Sequence, residues 1–350
     1  MKEWMNYIRQ VEPYTPGEQP QDKTVIKLNT NENPYPPSPK VQEALSSIHR
    51  FRFYPDPTAS KLVNKLAETY HLNPNQIFVG VGSDDVLAMT FLTFFNSKKP
   101  ILFPDITYSF YDVWAELFQV PYECPPLDEE FRIRKEDYYK ENGGIIFPNP
   151  NAPTGVAEGL DFIEDILKYN QKSVVVIDEA YVDFGTKSAL ELIDRYDNLL
   201  VIQTFSKSRS MAGMRIGYAM GNPVLIKALN DVKYSFNSYT MNEAAIELGT
   251  AALEDKEYFE DMLNKIVATR EKTKTALKEM GFQFADSKAN FIFVTHPSIS
   301  AQVLYEALKN EKIYVRYFNK PRIDNYLRIT IGTDVEMETL INYLQKFTNL

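Results

Sequence analysis

The chain has 350 residues, 44% of them apolar, enough for a sizeable buried core and about two domains. Its net charge of −9 argues against a general nucleic-acid surface, but not against a small phosphorylated ligand held by a local arginine cluster. The lone Cys124 excludes an internal disulfide, and the scattered His49, His71 and His296 give no zinc-ligand spacing, so no metal is expected.

The opening MKEWMNYIRQVEPY lacks the apolar core of a signal peptide, and no run reaches the ~20 apolar residues of a membrane span. A cytoplasmic protein is expected. Proline recurs through the first 60 residues, at Pro13, Pro16, Pro20, in NPYPPSP (33–39) and in YPDP (54–57). Proline lacks a ladder hydrogen bond, so this segment reads as an extended arm rather than part of a sheet, interrupted by a helix over 39–48. From about residue 60 the pattern alternates. A helix KLVNKLAETY precedes a strand IFVGVG (77–82), then the helix DVLAMTFLTFF, the strand PILFP and the helix YSFYDVWAELF follow. Next come a strand near GGIIFPN, the helix DFIEDILKYN and the strands SVVVIDE and NLLVIQTF. Such alternation with β-branched runs predicts a mostly parallel sheet buried on both faces. A long charged helix over about 252–280 then ends at Gly281. The strands ANFIFVT, IYVRYF and YLRITIG and two further helices complete a smaller α+β domain. The expected organisation is α/β: an arm over 1–50 that serves the small domain and a dimer contact, a large domain over 51–255 and a small domain over 256–350.

In open α/β sheets, ligands sit beyond the carboxyl ends of the strands. Here IFVGVG runs into Ser83-Asp84-Asp85, and IIFP runs into Asn149-Pro150-Asn151-Ala152-Pro153-Thr154-Gly155. VVVI runs into Asp178-Glu179-Ala180-Tyr181, and LLVIQTF into Ser206-Lys207-Ser208-Arg209. Each has a bland reading when taken alone. Gly82-Ser83 is an ordinary helix cap, NAPTG a turn, and Lys207 a solvated lysine. Asp84 and Asp85 even repel an anion at that helix end unless they point away. Together, a lysine, a strand-end aspartate, a phosphate-type turn and Arg215 suit one cofactor, pyridoxal phosphate. It needs an amine, an anion beside its protonated ring nitrogen and a cationic cradle for its phosphate.

The segment Thr204–Gly217, TFSKSRSMAGMRIG, resembles the lysine motif of fold-type I aminotransferases, and more narrowly that of the histidinol-phosphate aminotransferases. Asn29–Pro34, Tyr54-Pro55-Asp56, Asp178–Tyr181 and Leu327–Gly332 extend the likeness over almost the whole chain, in order. The resemblance implies that Lys207 holds pyridoxal phosphate as a Schiff base and later moves the α-proton. It implies that Asp178 pairs with the ring nitrogen, that Tyr181 bonds the ring hydroxyl and that Tyr108 stacks on the ring. Ser206, Arg215 and the backbone of Ser83 and Asp84 would hold the phosphate, and Tyr54 would reach the phosphate of a second subunit in a homodimer. Arg328 would grip a substrate carboxylate or phosphate, with Arg316 and Tyr14 as further phosphate contacts. The family often has asparagine directly before Pro-Thr-Gly, where this chain has Ala152, which leaves Asn151 as the candidate for that contact. The reaction implied is transamination of histidinol phosphate with 2-oxoglutarate. The alternatives are an aromatic amino-acid aminotransferase and a phosphothreonine-type decarboxylase.

Overall fold

A computed structural model describes residues 2–22 and 24–348. Its centre is made by Val175–Asp178 and Leu199–Thr204, strands in which every residue is buried. Aliphatic side chains on both faces suit a strand covered on both sides by helices. Around them runs a seven-stranded sheet in the order Ile77–Gly80, Gly217–Gly221, Leu199–Thr204, Val175–Asp178, Gly144–Pro148, Ile101–Leu102 and Tyr122–Glu123. All its pairings are parallel except those made by Gly217–Gly221. That strand runs antiparallel to both of its neighbours, so Ile77–Gly80 still points the same way as the central strands. The carboxyl ends of the four strands singled out in the sequence therefore lie along one edge.

The sequence reading has no strand at Gly217–Gly221, because GYAMG has glycine at both ends and no alternation. Glycine is needed there for closeness. A Cβ on Gly217 would lie 2.3 Å from the Gly82 carbonyl carbon and 2.4 Å from the Ser83 nitrogen. The strand can thus pass directly beneath the start of the helix Ser83–Phe94. Two apolar layers cover the sheet. One includes Leu62, Leu66, Ile163 and Leu248, the other Val86, Phe91, Trp114 and Leu229.

The second sheet has five strands in the order Ile26–Leu28, Ile313–Tyr317, Leu327–Thr330, Phe291–Thr295 and Gln283–Phe284. Its first strand corrects the reading of the arm as lying outside any sheet. Ile26–Leu28 pairs in parallel with Ile313–Tyr317 and buries Leu28. A proline-free IKL supplies the donors that the surrounding prolines lack. The long helix is Lys256–Glu279, capped by the Asp255 side chain and followed by Gly281 at φ 85°. Nearer the chain start, Arg9 donates to the Leu117 carbonyl beside the large sheet, while Glu18 and Asp22 pair with Lys309 and Lys312 beside the small one. The arm thus spans both layers of the molecule.

Candidate active site

Asp178 ends its strand with a carboxylate that is only 4% exposed. Tyr111 Oη donates to its Oδ2 at 2.9 Å, and the Ala180 N–H donates to its Oδ1 at 3.2 Å. Burial pushes this carboxyl up to about 6, against the opposing pull of those two donors; Asp84 adds to the rise and Lys207 counters it. The neighbouring Glu179 has a different task. It accepts from Ser188 Oγ, the Ala189 N–H and Gln203 Nε2, which ties the loop to the next strand.

Lys207 follows the adjacent strand by three residues. Its Nζ donates to the Thr30 carbonyl at 3.2 Å and lies 5.8 Å from the centre of the Tyr181 ring. Among the described residues it forms no ion pair, so its amine is held by a neutral acceptor. The arm supplies more of this surround. The Asn29 carbonyl takes Arg328 Nη2 at 3.0 Å, so two consecutive carbonyls hold the two cations. Asn31, at φ 57°, donates through Nδ2 to Tyr181 Oη at 2.9 Å and is itself bonded to Thr330 and Asn290. Asn33 Nδ2 reaches the Ser208 carbonyl at 3.1 Å. The sequence reading singles out neither Asn31 nor Tyr111. Asn31 is carried by the Asn29–Pro34 motif, but Tyr111 sits in an apolar helix and carries no signal of its own.

At the start of the helix Ser83–Phe94, Gly82 has φ 84° and lies against Arg215. Arg215 Nη2 pairs with Asp84 Oδ2 at 2.9 Å, and Tyr108 Oη donates to Asp84 Oδ1 at 2.8 Å. Asp84 therefore does not point away from this end. It holds the cation and the ring together, while Asp85 folds back to accept from the Val81 N–H at 2.9 Å. The helix N-terminus and Arg215 are the positive groups at this end. Ser206 stands beside this cluster with its Oγ bonded to Thr204.

Arg316 and Arg328 are register partners on antiparallel strands. Among the described residues neither has a carboxylate partner, and Arg328 Nε is buried without any hydrogen bond. Burial first, and the charge of Arg316 second, pull the Arg328 guanidinium below its ordinary value. Tyr14 stacks on Phe110 with centroids 4.1 Å apart and lies 6.5 Å from Tyr108. The structure thus gathers Asp178, Tyr181, Lys207, Tyr108, Arg215, Arg328, Arg316 and Tyr14 along one edge.

Two of the expected residues stand apart. Tyr54 is 79% exposed and stacks on Tyr239, away from the cluster in its own chain. Asn151 is buried with its amide spent on the Ile106 carbonyl and Thr154 Oγ1, and its Oδ1 on Thr107. It braces the loop that leads to Tyr108. Ala152 packs in the apolar cluster that contains Tyr181 and Phe291.

The sequence profile of the aminotransferase class I and II family matches residues 23–344. The chain is 51% identical over 347 residues to the histidinol-phosphate aminotransferase of Clostridium acetobutylicum, covering 99% of each chain. It is 52% identical to the enzyme of that name from Acinetobacter baylyi, over 100% of this chain and 98% of the relative. Among solved structures it superposes on histidinol-phosphate aminotransferase from Sinorhizobium meliloti in complex with pyridoxal-5'-phosphate. There the TM-score is 0.84 at 21% identity, over 93% of this chain and 91% of that one.

Proposed function

The chain belongs to the class I and II aminotransferases, and we propose that it exchanges the amino group of L-histidinol phosphate with 2-oxoglutarate, giving imidazole-acetol phosphate and glutamate. The observation that carries the substrate is the pair Arg316 and Arg328, two guanidiniums side by side with no acidic partner among the described residues. Histidinol phosphate has no α-carboxylate, so its phosphate needs such a site, and guanidinium matches either anion in bidentate geometry.

Pyridoxal phosphate is the cofactor, and the residues present fit it. Among the described residues the buried Asp178 has no ion-pair partner, and a protonated ring nitrogen would supply one. Gly82 and Gly217 leave no Cβ around the Ser83 N–H, so backbone and Arg215 can face a phosphate. When bound, the cofactor supplies an aldehyde carbon for the amine and a ring that spreads the electron pair left by proton loss.

In this reading Lys207 anchors that carbon and afterwards moves the α-proton, its Nζ positioned by Thr30. Asp178 neutralises the ring nitrogen, and Tyr181, oriented by Asn31, meets the ring hydroxyl. Tyr108 covers one ring face. Ser206, Arg215 and the N–H groups of Ser83 and Asp84 hold the phosphate. Arg328 takes the carboxylate of glutamate or 2-oxoglutarate, and with Arg316 and Tyr14 takes the substrate phosphate. Asn151 supports the adjoining loop, and Tyr181 alone carries the contact left open by Ala152.

We further propose a cytoplasmic homodimer with shared sites, in which Tyr54 reaches the partner's phosphate. Residues 51–255 then form the cofactor domain, with 256–350 and the arm 1–50 around the substrate. No helix of the described residues is long and apolar enough to cross a membrane.

The deciding test compares histidinol phosphate and phenylalanine as amino donors to 2-oxoglutarate. A higher kcat/KM for histidinol phosphate is expected, and a large preference for phenylalanine would overturn the substrate. Carbon dioxide release without an oxo acid would indicate a decarboxylase. Borohydride should lock an absorbance band in the range of roughly 330–430 nm onto Lys207, and a Lys207→Ala protein that still carries a reducible band would refute the anchor.

A further inference from the structure

We propose that Tyr111 is a positioning residue for this reaction, holding Asp178 ionised and aimed while it backs the ring of Tyr108. The inference rests on the assignment of Asp178 to the cofactor's ring nitrogen.

Tyr111 is the first residue of the helix Tyr111–Phe118 and is fully buried. Its hydroxyl reaches across to the end of a neighbouring strand and is the one side-chain donor to Asp178 among the described residues, at 2.9 Å. The other donor to that carboxylate is the Ala180 backbone. The Tyr111 ring meets Tyr108 edge to face at 5.8 Å and 89°, and Phe103 at 5.8 Å and 71°. One residue therefore touches both the group expected at the ring nitrogen and the ring expected on the cofactor's face.

The chemistry asks for this. Burial favours the neutral carboxylic acid, whereas a ring-nitrogen partner must be ionised. A hydroxyl donated to the carboxylate favours the ionised form. Tyr111 keeps that role at any working pH, because burial and the facing Asp178 raise its phenol well above the ordinary value. The other charged groups that act on Asp178 are Lys207, which also favours ionisation, and Asp84, which opposes it. Phenylalanine would fill the same space, so packing alone does not require the hydroxyl.

The test uses the pyridoxal-phosphate-loaded enzyme and Tyr111→Phe, with Trp114→Phe as a packing control. Trp114 lies in the same aromatic cluster, 6.4 Å from Tyr111, and has no hydrogen bond to Asp178 among the described residues. Loss of the hydroxyl should weaken protonation of the ring nitrogen. The visible band reports the Lys207 nitrogen joined to the cofactor, which grows more basic as the ring loses positive charge, so its pH midpoint should rise by about one unit, a tenfold change. We expect kcat to fall about tenfold with little change in KM, and bound cofactor to exchange faster on dialysis. Trp114→Phe should leave the midpoint in place. An unmoved midpoint in Tyr111→Phe, or an equal shift in both variants, overturns the proposal. A wild-type protein with no titrating visible band would instead overturn the cofactor-site assignment beneath it.

Discussion

Arg316 and Arg328 face each other in register on antiparallel strands, and both guanidinium carbons lie over the ring of Phe318, at 5.5 and 5.6 Å. Like charges directly opposite are destabilising in a sheet, and aromatic contacts offset only part of that. A phosphate between them would supply the missing negative charge. Arg316→Ala is therefore expected to raise KM for histidinol phosphate 10- to 100-fold, a loss of ~1.4–2.8 kcal/mol, with a small change in kcat. The ligand-free protein should melt no lower than wild type, because the variant relieves the repulsion. Steady-state kinetics and a thermal melt check both, and an equal loss for phenylalanine would remove Arg316 from phosphate binding.

The carboxyl of Asp178 gives a pH signature. Burial pushes it from an ordinary 3.8 up to about 6 in the folded chain. A carboxyl whose folded pKa is raised binds its proton more tightly folded than unfolded. Its contribution to stability is thus fully present below about 4 and is lost as pH climbs through about 6. A shift of that size corresponds to ~3 kcal/mol. In cofactor-free protein, wild type should lose ~2–3 kcal/mol relative to Asp178→Asn between about pH 4 and pH 7.5. Urea unfolding at both values measures this, and curves that stay parallel contradict it. On the proposed assignment, a protonated ring nitrogen beside Asp178 would flatten the difference when cofactor binds.

Much of this site could be read from the sequence, for a physical reason. Lys207 and Asp178 stand just past or at the ends of aliphatic strands, where a charged residue needs a purpose. What stayed hidden depends on three-dimensional proximity. Tyr111 looks like any apolar-helix residue until its hydroxyl meets Asp178 67 positions away. Gly217–Gly221 has too little side chain to show a strand period, yet it supports the start of the helix Ser83–Phe94. Ile26–Leu28 is only three residues long, and the prolines around it mask its pairing. Asn151 illustrates the opposite case, in which a candidate picked from the sequence has its amide already bonded to Ile106 and Thr154.

The same proximity makes Gly217 a sensitive position. A methyl there would meet the Gly82 carbonyl oxygen at 2.6 Å as well as the two backbone atoms closer still. Backbone cannot rotate aside as a side chain can, so strand and helix must separate. Gly217→Ala should cost ~3 kcal/mol or more and loosen the phosphate end. Gly213→Ala is the matched control, because nothing lies within 4 Å of a Cβ at that site. Denaturant unfolding and cofactor-binding titrations should separate the two variants, and a Gly217→Ala protein equal to wild type in both would rule out so close an approach.

The proposed dimer can be tested through exposed aromatic residues. Phe51, Tyr54 and Phe236 are 76%, 79% and 72% exposed, and Tyr54 stacks on Tyr239 at 4.5 Å rather than entering the cluster around Lys207. Large apolar side chains left exposed favour a partner, and a second copy would bring its own Tyr54 to this site. Sedimentation of wild type at micromolar concentration should give a dimer, and Phe236→Asp should shift it towards monomer with parallel loss of activity. Tyr54→Phe keeps the ring and its stack but removes the hydroxyl. It should remain dimeric while cofactor affinity falls about 10- to 100-fold, the value of one hydrogen bond to a charged group. A fully active monomer would overturn the shared site. A dimer whose cofactor affinity ignores Tyr54→Phe would keep the dimer and remove Tyr54 from the phosphate.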